Sequence, residues 1–551
     1  MGIWRLALVM LPLLGRLAGA AAVLEAGTFG VKADGVSDDG PAIARMLEAA
    51  AKATPPVVLR FQPGSAIRVE TAPERYVFRL EGVSDLTLDG CGSTFLLGPR
   101  VRFLRLRRSR SVAVCNLRVD FSPLPFADGT VSAVRPDERC LEVRLAPGSP
   151  LPVGGPTGED GEQAFFSMLW RRGPYGLVSR HYWTARIERG SEPNTVWVFA
   201  SERFNDFADI EPGKWRISIP VPGIAHRYGP GACVEVHDNR DVVFEDVELW
   251  SAPWFGFRVF RNEGEVVFRR VNIRPKPGSG RLTSTWRDGF HVKGNRARLL
   301  WEDCEVSGTN DDAFNISTHA SRVQRVVSPT EVVVLQVFPL NPMPWHEGES
   351  LVAADFESRT LLGSARIEAV SGWTTARRLG GKPAASPVTL SLDRPIEGLR
   401  RGAMVWERES ANPHTTLRHC TIQASCRFQS PVTLEGCRVT ALIWFAAMPV
   451  EGPFPSDVVI RDCELRRGRG NRRLVVCFTG RAPGRTGPPA IHDVVVEGNR
   501  IWGGFSMVGV ARARLVGNRF CERGATVRIQ DSPGLVTKDN LDPFGKPWPA
   551  R

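Results

Sequence analysis

The sequence predicts an all-β chain, a right-handed parallel β-helix with an N-terminal capping helix and two small β-barrel insertions. A short strand phrase recurs along the chain, no helix-period segment separates its copies, and two stretches break the rhythm with hairpin-like pairs. The phrase is an acidic or small residue, two or three apolar residues, a polar pair, Cys or Asn, then an apolar end. It reads "DVVFEDVEL" (241–249), "EVVFRRVNI" (265–273), "RLLWEDCEV" (298–306), "TTLRHCTI" (415–422), "PVTLEGCRV" (431–439), "DVVIRDCEL" (457–465), "DVVVEGNRI" (493–501) and "RARLVGNRF" (512–520). Each is a β-branched strand with a turn. Spacings such as the 24 residues from Asp241 to Glu265 suit one coil per repeat. One coil cannot bury its apolar face, so coils must stack.

Each remaining element follows in order. Residues 1–22 read as a secretory leader: a short positive start, the apolar run 6–14, and small residues at Ala18-Gly19-Ala20 or Ala20-Ala21-Ala22. That run is too short to span a bilayer, which takes about 20 residues. A secreted or periplasmic protein without a membrane anchor is expected. Coils with their cap occupy 23–128. The cap helix has Asp38 or Asp39 as N-cap, Pro41 in its first turn, and Ile43, Met46, Leu47 and Ala50 on one face. Residues 129–236 form the first insertion, ending in "GACVEV". Central coils (237–321) follow, then the second insertion (322–408) and the C-terminal coils (409–551). The insertions flank the central coils and are placed to wall a cleft there.

Composition excludes disordered and collagen-like chains: 42% of residues are hydrophobic and 24% charged. The formal net charge is +12, but the cations are scattered. The densest group, Arg466, Arg467, Arg469, Arg472 and Arg473, is broken by glycines, and no basic helix or zinc-finger spacing occurs. A solvated surface is expected rather than a nucleic-acid partner. The 11 cysteines include Cys115, Cys304, Cys420, Cys437 and Cys463 at one repeat position, where Asn499 and Asn518 stand in later copies. This predicts an inward ladder of small side chains with free thiols. No Cys-x-x-Cys or Cys/His metal spacing appears, and no metal or other cofactor is expected.

The chemistry concentrates in the central coils. "DGFHVK" begins at Asp288 and "DAFNIS" at Asp312, 24 residues on. Stacking sets Asp288 beside Asp312 and His291 beside Asn315, about 4.8 Å apart, with Asp311 next to them. Packed carboxylates push their pKa values apart, giving an acid and a base together as glycosidic cleavage requires. One strand step with a lateral offset suits the roughly 6.5–9.5 Å of inverting enzymes better than the roughly 5–5.5 Å of retaining ones. Alone, the segment also reads as an Asx-capped turn or a calcium cluster. Substrate contacts are expected from His291, from Trp286 as a sugar platform, from Arg287 and Lys293 toward a carboxylate or sulfate, and from Asn315. Arg180 and His181 of the first insertion are placed to reach over the cleft.

The entry "TFGVKADGVSDDGPAI" is similar to that of pectin-lyase-like β-helix proteins. Residues 75–320 resemble glycoside hydrolase family 110, exo-acting α-1,3-galactosidases, through "NLRVDFSPLPFADGTV" (116–131), "RDVVFEDVELWSAPWFGFRVFRN" (240–262) and "LTSTWRDGFHVKGNRARLLWEDCEVSGTNDDAFNIS" (282–317). The resemblance implies a β-helix with barrel insertions and an inverting mechanism. It makes Asp288 the general acid and Asp311 and Asp312 the pair serving the water, with a terminal α-galactoside as substrate. The rivals are a polygalacturonase-like hydrolase of an acidic polysaccharide, a lyase, and a non-catalytic carbohydrate-binding β-helix.

Overall fold

The computed structural model describes residues 21–154, 166–173, 176–222, 224, 231–336, 343–372, 377–379, 382–384, 387–448, 451–468 and 474–548. The β-branched repeats form a right-handed parallel β-helix, because each coil hides its apolar side chains only against the coils before and after it. One wall is an 11-stranded parallel sheet from Tyr76–Glu81 to Val527–Gln530, called here the site sheet. The other walls belong to a 21-stranded sheet. It turns a corner within each coil at a residue of positive φ, such as Asp246, Asp303 or Asp462. That left-handed residue is the second of the polar pair in the repeat, where Asp, Asn and Gly are tolerated.

In-register stacking fills the interior. Phe244, Phe268 and Trp301 lie face to face at 5.3 and 5.0 Å, and Phe257, Phe290 and Phe314 at 5.0 and 5.1 Å. The corner residue after each left-handed turn is a buried ladder. Cys304, Cys420, Cys437, Cys463, Asn499, Asn518 and Asn540 follow one another, and the cysteines are free thiols. Each Asn Oδ1 accepts the backbone N–H of the residue one coil earlier: Cys463 to Asn499 (2.9 Å), Asn499 to Asn518 (3.1 Å), Asn518 to Asn540 (3.0 Å). Cys115 does not belong to this ladder. The left-handed residue of its coil is Asn116, so Leu117 takes the ladder place and Cys115 pairs beside Glu245.

A second ladder, absent from the sequence reading, lines the corner after the site sheet: Ser109, Asn239, Asn262, Asn295, Asn412. Asn262 accepts from Asn239 N (3.0 Å) and donates to Val236 O (2.9 Å) and Asn295 Oδ1 (2.9 Å). Asn262→Leu strands those buried groups, at about 1–3 kcal/mol each. We expect urea unfolding to show a loss of about 2–5 kcal/mol; a loss under about 0.5 kcal/mol, the scale of an ordinary surface substitution, would contradict the ladder's role.

The cap helix spans Gly40–Ala50, burying Ala42, Ile43 and Met46. Asp39 occupies the N-cap position without capping. Its carboxylate accepts from Lys32 N (2.7 Å) and Ala33 N (3.0 Å) of the preceding loop, while Asp38 accepts from Gly40 N (3.1 Å) and Glu70 N (2.9 Å). Most of the leader reading falls outside the described residues. Ala22, counted with the leader, starts the first strand, Ala22–Glu25, which pairs with Val57–Arg60. Among the described residues no helix is long and apolar enough to cross a membrane.

Two closed barrels of six strands interrupt the coils. The first runs from Phe126–Arg135 to Arg216–Pro220, the second from Ser321–Ser328 to Met404–Glu407. Ala232–His237, which the sequence assigned to the first insertion up to residue 236, instead pairs with Arg102–Arg107 and Phe255–Phe260 in the site sheet. Its six residues are all buried, so the alternation that marks a coil strand is hidden. The first barrel packs on the segment before Asp288: Asp128 accepts from Leu282 N (2.9 Å), and Arg281 pairs with Asp120 of the preceding coil strand at 2.9 Å. The second docks at the other end of that coil, where Arg296 meets Glu407 (3.1 Å) and Glu349.

Candidate active site

Asp288 and Asp312 occupy equivalent places on consecutive coils, two residues before Phe290–Lys293 and Phe314–Ser317. Gly289 N donates to Asp312 O (2.9 Å) and Phe290 N to Ala313 O (2.9 Å). Gly289 is required by this closeness, since a Cβ there would lie 2.9 Å from Ala313 O. Asp311 projects beside them. One carboxylate oxygen from each of the three acids lies within 4.8 Å of the others. This is closer than the inverting spacing expected from strand geometry, because the three side chains converge.

Each acid has a different partner. Arg287 Nη1 donates to Asp311 Oδ2 (2.9 Å), and Arg427 Nη2 lies 3.1 Å from Asp312 Oδ2. Among the described residues Asp288, 3% exposed at its side chain, has His291 Nδ1 at hydrogen-bond length, 2.6 Å. Burial, reinforced by the charges of Asp311 and Asp312, pushes the Asp288 carboxyl well above the usual carboxylate range. Burial, with Lys293 and Arg258, holds His291 well below its ordinary value. Both shifts favour the uncharged pair, with the proton on Asp288 rather than on His291. With His291 as the neutral Nδ1–H tautomer donating to Oδ2, Oδ1 of Asp288 carries the proton.

The other sequence candidates divide. His181 reaches the site, its Nε2 3.1 Å from Asn310 O. Arg180 does not. Neighbours on a strand point to opposite faces, and Arg180 turns to Asp206 and Asp209 (2.7 Å each) over Trp215. Trp286 is no sugar platform: it is fully buried, stacked on Phe166 at 4.5 Å and near Phe126. Lys293 is not at the rim. Its side chain is completely buried, donating to Asn315 Oδ1 (2.7 Å) and Ser317 Oγ. Burial pushes it down to about 8, against the pull of Glu451. Asn315 is likewise buried and donates to Glu451 Oε2 (3.2 Å).

Two residues escaped the sequence reading. Arg427 bridges Asp312 and Glu451, its Nη1 3.1 Å from Glu451 Oε2. Burial alone would raise Glu451, but Lys293 and Arg427 bring it down to about 2. Arg427 follows Asn315 in register on the next coil. The second barrel places it 112 residues later, and only the match of "CRF" to "FNI" could have shown it. Glu451 comes from a loop and left no periodic signal.

No protein-family model matches the sequence. The chain is related to alpha-1,3-galactosidase B of Bacteroides thetaiotaomicron, 25% identical over 342 residues, covering 57% of this chain and 53% of that protein. Alpha-1,3-galactosidase A of Streptomyces avermitilis is 23% identical over 575 residues, 92% of this chain and 88% of that protein. Alpha-1,3-galactosidase B of Phocaeicola vulgatus is 31% identical over 347 residues, 57% of this chain and 56% of that protein. The chain thus spans about half the length of the first and third of these. Among solved structures, the mannuronan C-5 epimerase A-module of Azotobacter vinelandii aligns at TM-score 0.39 and 11% identity over 93% of this chain and 96% of that one. The endo-xylogalacturonan hydrolase of Aspergillus tubingensis aligns at 0.34 and 10% over 95% and 94%.

Proposed function

We propose that this chain is an exported glycoside hydrolase that removes terminal α-linked galactose from a glycan, exo-acting and inverting. The observation that carries the reading is three carboxyl oxygens from two consecutive coils within 4.8 Å, one carboxyl held protonated beside two paired with arginine. Asp288 gives its proton to the leaving glycosidic oxygen as the anomeric C–O bond breaks. Water held by Asp311 and Asp312 attacks the opposite face of that carbon and loses its proton to one of them. Oxygens up to 4.8 Å apart are bridged by one water donating to both at about 2.8 Å, so the short spacing still accommodates a nucleophilic water. The galactoside preference rests on the names of the sequence relatives.

A second assignment has its own support. Asp311 is 30% exposed at its side chain, against 3% for Asp288, which favours Asp311 as the acid and Asp288 with Asp312 around the water. Against a lyase stands Lys293, whose complete burial keeps its amine from a substrate α-proton.

The test is proton NMR of the first sugar released from aryl α-galactosides and natural galactans. β-Galactose first is expected. α-Galactose first would replace inversion by retention, and oligouronide products would replace the exo-galactosidase by an acidic-polymer hydrolase. Retention on galactan gels without reducing-end release would leave only a binding protein.

A further inference from the structure

We propose that the glycan processed here carries an anionic substituent, a sulfate ester or a uronic carboxylate, held on the outer face of the site sheet by Arg105, Arg107 and His237. This rests on the hydrolase reading above and names its substrate class. The outward column through His291 runs, coil by coil toward the N-terminus, Arg258, Glu235, Arg105, Arg79. At about 4.8 Å per coil, Arg105 stands about 14 Å from His291, within reach of a short oligosaccharide bound across the acids. The same column toward the C-terminus reads, beyond Arg427, Trp444, Cys477 and Ser506, and meets a cation again only at Arg528.

Glu235 under-serves this group. Arg105 and Arg258 approach it at 3.5 Å and Arg107 at 3.9 Å, all longer than the roughly 2.7–2.9 Å of a charge-assisted hydrogen bond. The Nε atoms of Arg105 and Arg107, and Nε2 of His237, are buried without a hydrogen-bond partner, and His237 is 3% exposed. Arg107 Nη2 lies 3.4 Å from His237 Nδ1. Arginine can only donate, so Nδ1 accepts and Nε2 carries the hydrogen. Two buried donors, Arg107 Nε and His237 Nε2, thus lack an acceptor, and Arg105 Nε has only the long contact to Glu235, beside arginine side chains still 25% and 32% exposed. A sulfate or carboxylate supplies the missing oxygens.

The test compares a sulfated galactan, its desulfated product and a uronate-bearing galactan. An anionic polymer should show kcat/KM about tenfold or more above the desulfated one, an advantage that shrinks as salt rises. The double variant Arg105→Gln/Arg107→Gln should lose that advantage while keeping turnover of the neutral polymer. Preference for one anionic polymer identifies the substituent. Equal kcat/KM on all three overturns the proposal, as does an equal loss on all three in the variant. If no polymer releases sugar, the hydrolase reading fails and affinity electrophoresis of the wild type decides this one. Retardation by the anionic polymers alone supports it, and equal or absent retardation overturns it.

Discussion

Asp288→Asn lowers turnover of natural glycan by about 10²- to 10⁴-fold, the usual worth of a positioned general acid, with little change in thermal stability. Asparagine keeps the volume and the contact to His291 Nδ1, but it has no proton to give. The loss depends on the leaving group. A natural sugar alkoxide needs protonation, whereas a dinitrophenolate leaves without it, so the same variant should keep most of its rate on the dinitrophenyl galactoside. Asp312→Asn should lose rate on both, since the attacking water is then unassisted. If Asp288→Asn loses as much on the activated substrate as on the natural one while Asp311→Asn does not, the acid is Asp311.

The pH dependence follows from the same burial. A carboxyl held well above its usual range stays protonated to higher pH than an ordinary aspartic acid, so kcat/KM is retained as pH rises past the ordinary carboxylate range. It falls as pH rises through the Asp288 value. The stability sign agrees. Asp288 binds its proton more tightly folded than unfolded, so its contribution is complete below the unfolded value and is lost as pH rises through the folded one. Glu451 has the opposite sign. Held at about 2, it contributes above its ordinary value, and that contribution is lost as pH falls toward 2.

How much was legible depends on the kind of periodicity each residue obeys. Asp288, Asp311 and Asp312 were readable because in-register stacking turns a 24-residue offset into proximity. Arg427 obeys the same register, but a barrel of more than 80 residues hides it from any count of spacing. Cys304 and Asn518 were legible as one ladder because a left-handed turn precedes both. Cys115 was misplaced because the residue in that conformation, Asn116, resembles the ladder residue rather than the turn. Trp286 and Arg180 failed for a different reason. Strand parity says only that two residues face opposite ways; which face a barrel covers is decided by packing on Phe126 and Phe166.

Arg427→Met is the second large effect expected, about 10²-fold in kcat, comparable to removing one preorganised charge donor. The arginine, 16% exposed at its side chain, is the cation between Asp312 and Glu451, at 3.1 Å from each. Methionine fills the space and leaves those carboxylates facing each other, with buried Lys293 3.7 Å from Glu451. Their repulsion favours protonation, so the carboxylate that should receive the water's proton is neutral over more of the acid range. The acid limb of the kcat/KM profile therefore moves to higher pH, and Arg427→Lys, which restores a charge without the two-pronged geometry, moves it part of the way back. A residue that merely held the coil together would lower the melting temperature and leave the profile where it was. An unshifted acid limb in a folded Arg427→Met would remove Arg427 from the catalytic electrostatics.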